Sequence, residues 1–86
     1  MLKELLNKTY QNFYVNNEGD IIGIENPRDR WIIKEAEELK LHYINTIAKC
    51  KALNTNFEPI KVKIAKYEKM LKQLENAITK QKEVVQ

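Results

Sequence analysis

The sequence predicts a mainly α fold in which a short N-terminal helix and a small β-hairpin precede a long antiparallel helical hairpin. Three observations carry that prediction. Ile60, Ile64, Tyr67, Leu71, Leu74, Ile78, Gln81 and Val85 alternate steps of four and three, an unbroken heptad seam with Gln81 as its one polar member. A looser seam precedes it through Ile32, Ala36, Leu39, Tyr43, Thr46, Cys50 and Leu53. Between residues 10 and 24 the chain is instead aromatic and β-branched around a polar turn.

Leu2, Leu5, Leu6 and Thr9 recur at helical spacing, so a helix of two or three turns is expected over residues 2–9. Tyr10–Val15 and Ile21–Ile24 then read as two strands, with Asn16–Asp20 as the turn and Gly19 supplying positive φ. An isolated hairpin is marginal in water, so it must lie against the helices. The first long helix is expected from Asn26, as cap, to about Leu53. Pro27 suits its first turn, and Asp29 stands in capping-box register. Asn54 is a suitable left-handed residue after it. Thr55 and Glu58 form a second capping box, with Pro59 in the first turn of the second long helix. The link is short, so the two helices fold back on each other, each arm about 38 Å long at 1.5 Å per residue.

With 86 residues the chain forms one domain, residues 1–25 carrying the helix and hairpin and 26–86 the helical pair. A domain this small buries a modest share of its surface. Cys50 is the single cysteine, so no internal disulfide forms, and no Cys/His cluster holds a metal. Both helical arcs are also wider than one partner helix needs. A homo-oligomer is therefore expected, a dimer first, with Ile60, Ile64, Tyr67, Leu71, Leu74 and Ile78 as its core seam.

No apolar run exceeds three residues, the length of Trp31-Ile32-Ile33, far short of the roughly 20 residues of a membrane span. Charges at Lys3 and Glu4 interrupt what would be a signal peptide's apolar stretch, and the lone thiol suits a reducing compartment. A cytoplasmic protein with no membrane contact is expected.

The formal charge of +3 is unevenly placed. Lys61, Lys63, Lys66, Lys69, Lys72, Lys80 and Lys82 face only Glu68, Glu75 and Glu83 in the last third. These lysines spread around the helix, and Glu68–Lys72 is a favourable i,i+4 pair, so they read as a solvated surface.

The sharpest local feature is Asn26–Trp31. It holds the only two arginines and the only tryptophan, with Lys34 one turn on. Arg and Trp are the side chains most enriched at binding hot spots, and Arg presents a planar fork that Lys cannot imitate. Arg28, Arg30, Trp31 and Lys34 are the candidate binding residues. The alternative is that Trp31 packs under the hairpin while the arginines pair with nearby carboxylates.

Catalysis is not expected. His42 and Cys50 lie two turns apart and about 80° around one helix, so they cannot form a nucleophile–base pair. Glu38 and His42 read as a surface pair. There is no Gly-rich phosphate loop and no cofactor motif. A non-enzymatic protein acting by stoichiometric protein–protein interaction follows. Abundant Asn, Lys and Ile beside two Arg suggest AT-rich coding. By association rather than physics, that points to a phage-type inhibitor of a host factor. Two other readings stand beside it: an oligomer that binds nucleic acid or an anionic nucleotide, and a structural coiled-coil assembly protein.

Overall fold

The computed structural model describes residues 6, 8–26, 28–54 and 56–85. Three strands come first: β1 (Asn12–Val15), β2 (Ile21–Asn26) and β3 (Asp29–Ile32). Two helices follow, α1 (Ala36–Ala52) and α2 (Glu58–Val85). The strands form an antiparallel meander in the order β1-β2-β3. The sheet lies on α2 through β1 and β2, and α1 packs along α2 as the expected helical hairpin.

The first hairpin is held by a side chain. Asn16 Oδ1 accepts from the Glu18 and Asp20 amides at 3.0 and 2.9 Å, and Gly19 takes φ 86°. The register pairs Val15 with Ile21 and Phe13 with Gly23, so these four share the face toward the helices. A Cβ on Gly23 would stand 2.6 Å from Tyr10 Cδ1, which is why that position is bare.

The third strand corrects the expected helix start at Asn26. Asn26 Oδ1 accepts from the Arg28 and Asp29 amides at 2.8 and 3.2 Å, and its Nδ2 donates to Asp29 Oδ2. Those are the acceptances an N-cap would make, used here to close a tight turn between β2 and β3. Trp31-Ile32-Ile33 then favours a strand, and Ile22 and Gly23 on β2 offer it partners at Ile32 and Trp31. The helix is delayed to Ala36, after Glu35, and Glu37 and Glu38 meet its positive end. At 17 residues α1 is only about 26 Å long, against about 42 Å for the 28 residues of α2. The arms are therefore unequal.

Asn54 adopts the left-handed conformation expected of it, at φ 45°. The N-terminal helix falls mostly on residues 1–5 and 7, and the second capping box needs Thr55; these lie outside the described residues. Leu6 packs against the core.

That core joins Tyr10, Ile21 and Ile33 to Ala36, Leu39 and Tyr43 of α1 and to Met70, Leu74, Ala77 and Ile78 of α2. Leu74 and Ile78 of the expected oligomer seam are thus buried within one chain. Ile60, Ile64, Tyr67 and Leu71 are half-buried. Gln81, the polar member of the seam, donates to the Gly19 carbonyl at 2.9 Å and ties the far end of α2 to the first hairpin turn.

Tyr10 and Tyr43 are fully buried, and neither hydroxyl has a hydrogen-bond partner among the described residues. Burial, helped by the Glu25 carboxylate, pushes the Tyr10 phenol up to about 12. Burial raises Tyr43 as well. A phenol held neutral in the fold but free to ionise when unfolded makes stability flat below about pH 10 and falling above it. For Tyr10 the loss by pH 12 is about 2–3 kcal/mol. The urea midpoint is expected to fall between pH 9 and 11.5. Tyr10→Phe is expected to cost little at pH 7 and to flatten that fall; an unflattened profile would show that Tyr10 is not the group responsible.

Candidate functional site

Three of the four expected binding residues belong to one feature, the outer edge of the sheet. β3 pairs with β2 alone, and its other edge is open among the described residues. The Ile33 amide donates to the Ile21 carbonyl at 2.8 Å. With Trp31 opposite Gly23, the antiparallel alternation turns the N–H and C=O of Arg30 and Ile32 away from β2. Those groups form the free rung of the ladder.

Strand geometry separates Arg30 from Trp31, because successive side chains point to opposite faces. Trp31 shares the Gly23 face and is 38% exposed. Lys8 Nζ sits 3.2 Å from the centre of its ring and 3.6 Å from Glu25 Oε2. The indole is exposed and carries the Lys8 ammonium over its ring. Its cation partner among the described residues is Lys8 and not an arginine.

Arg30 projects from the other face, its Cζ 5.7 Å from the Tyr14 ring centre. Tyr14, Ile22 and Ile32 form a cross-strand row on that face, in paired register over all three strands. Ile32 is 53% exposed, whereas Ile22, flanked on both sides, is buried. Arg28 lies in the turn before β3, exposed, with its amide engaged by Asn26. The edge therefore presents an arginine at the turn, a second arginine over an aromatic ring, an exposed isoleucine and free main-chain groups.

Lys34 is not part of this surface. It borders a shallow cleft of about 270 Å³ at the start of α1 with Glu35, Glu37, Glu38, Ile78, Gln81 and Lys82. Tyr14 and Ile22 were not among the expected site residues. Their signal was present in the alternation of Asn12-Phe-Tyr-Val15 and Ile21-Ile-Gly-Ile24, which puts Tyr14 and Ile22 on the face away from Phe13 and Ile21.

His42 is half-buried with its ring 6.2 Å from that of Tyr43, and Cys50 is buried as a free thiol. No group of three or more His, Cys, Asp or Glu among the described residues is arranged to hold a metal ion. No helix among them is long and apolar enough to cross a membrane. No family model, curated protein or solved structure matches this chain, so its functional reading rests on its own geometry.

Proposed function

We propose that the chain is a non-enzymatic binding module that acts by stoichiometric contact with a protein, receiving an extended acidic segment of its partner along β3. One observation carries this reading: the outward N–H and C=O groups of Arg30 and Ile32 on an edge strand flanked by the Arg28 and Arg30 guanidiniums. An added strand gains main-chain hydrogen bonds from such an edge, and side chains at alternate positions set its specificity. Here the row Tyr14–Ile22–Ile32 offers apolar contact, and the arginines favour carboxylates. A phage-type inhibitor of a host factor is one use of such a module. Exposed Leu41 and Ile44, at 57% and 38%, support self-association through α1 as a second reading.

A peptide of alternating Glu and Val, titrated against the protein, tests the edge. Binding is expected to protect the Arg30 and Ile32 amides from hydrogen exchange. Ile32→Pro removes one outward N–H while leaving the β2 ladder intact, since proline is tolerated where an edge N–H faces solvent. It is expected to weaken binding about 10-fold or more, because a partner carbonyl loses its donor. Arg30→Lys keeps the charge but loses the fork, and is expected to weaken binding as well. If both variants keep the wild-type melting temperature and bind the peptide unchanged, the edge is not the site.

A further inference from the structure

Between Gln11 and Asn12, at the start of β1, and Lys66, Lys69 and Met70 of α2 lies an open cleft of about 380 Å³. Lys66, Lys69 and Lys80 fall within about 60° of one another on α2 at 100° per residue, and span about 21 Å of its length.

The sequence alone spread the lysines of α2 evenly, with Glu68 paired to Lys72. The fold redistributes the carboxylates. Glu68 and Glu75 turn toward α1, where their Oε2 atoms lie 4.0 Å from Lys51 and Lys40 respectively. Lys66, Lys69 and Lys80 are left with no carboxylate within ion-pair distance among the described residues. Lys66 and Lys69 line the cleft, Lys80 continues the same face of α2 about three turns further on, and the side-chain amides of Gln11 and Asn12 add neutral donors across the cleft.

We infer that this flank binds the phosphate backbone of a single-stranded nucleic acid. A row of cations about 21 Å long exceeds what one phosphate or one nucleotide can engage, so the ligand is an extended polyanion. The cleft is concave and lined by amides, which admits a single strand and can hydrogen-bond its bases. This site is separate from the β3 edge and does not depend on the reading given to that edge.

The test is fluorescence anisotropy of a labelled 15-mer of deoxythymidylate, with the matching duplex, polyglutamate and anionic phosphatidylserine vesicles as alternative ligands. With three phosphates neutralised, log K is expected to fall with log salt at a slope of about −2, roughly a 16-fold loss from 50 to 200 mM. Lys66→Gln, Lys69→Gln and Lys80→Gln are each expected to reduce that slope by about 0.7, while Lys49→Gln on α1 leaves it unchanged. Asn12→Asp places a carboxylate in the cleft from another element and is expected to weaken binding several-fold. Melting curves of the variants guard against loss of fold. Absence of salt-dependent binding, equal or tighter binding of duplex, polyglutamate or vesicles, or lysine variants that bind like wild type would overturn the inference.

Discussion

Leu74→Ala is expected to cost about 2–5 kcal/mol, the range for a leucine truncated where its surroundings cannot collapse. Leu74 is 0% exposed and sits where α1, α2 and the sheet meet. An 86-residue domain has roughly 4–13 kcal/mol of stability in total, so the loss takes a large share of it. At about 4–8 °C per kcal/mol the melting midpoint falls by roughly 8–40 °C. Leu71 stands in the same heptad seam but is half-buried, and Leu71→Ala is expected to cost roughly half as much, in proportion to the apolar area it removes from water. Equal losses at the two positions would mean that the exposed flank of Leu71 is covered in solution. Concentration dependence supplies the second readout: a dimer whose assembly is coupled to folding gains midpoint with protein concentration, and a monomer does not. In that case both variants are expected to lose helicity and assembly together.

Three residues separate what local sequence determines from what tertiary contact decides. Asn54 was legible because a left-handed residue after a helix has few alternatives, and asparagine is one of them. Asn26 was legible as a local hydrogen-bond acceptor and misleading as a helix start. Its carboxamide serves the amides two and three residues on in a helix cap and in a tight turn alike. What decides between them is tertiary: β2 presents Ile22 and Gly23 to Ile32 and Trp31, and the ladder so formed outweighs local capping. That single difference also dissolves the Arg–Trp cluster, since a strand sends Arg30 and Trp31 to opposite faces. Gln81 signalled a polar partner by interrupting an apolar seam. The identity of that partner, a carbonyl 62 residues away in the chain, depends on how the hairpin docks and leaves no local trace.

Gly23→Ala is the other substitution with a large expected effect, and two opposed terms set its sign. Gly23 lies in a strand and does not use positive φ, so alanine fits its backbone. On that ground alone, reduced freedom in the unfolded chain would stabilise by about 0.4–1 kcal/mol. The new methyl, however, would stand 2.6 Å from Cδ1, 3.0 Å from Cγ and 3.1 Å from Cε1 of Tyr10. Cγ is rooted next to the main chain, and the ring is fully buried against the core, so it cannot swing aside as a flexible tip would. Overpacking of this kind typically costs about 1–3 kcal/mol, which exceeds the backbone gain. A net loss of stability is therefore expected, with the sheet displaced from Tyr10. Replacing the ring isolates the cause: in a Tyr10→Leu background the same methyl meets a smaller side chain, and Gly23→Ala is expected to be nearly neutral there. The coupling between the two positions, read from chemical denaturation of the four proteins in the cycle, is expected to be about 1 kcal/mol or more. Additive losses would show that the bare position serves something other than the tyrosine ring.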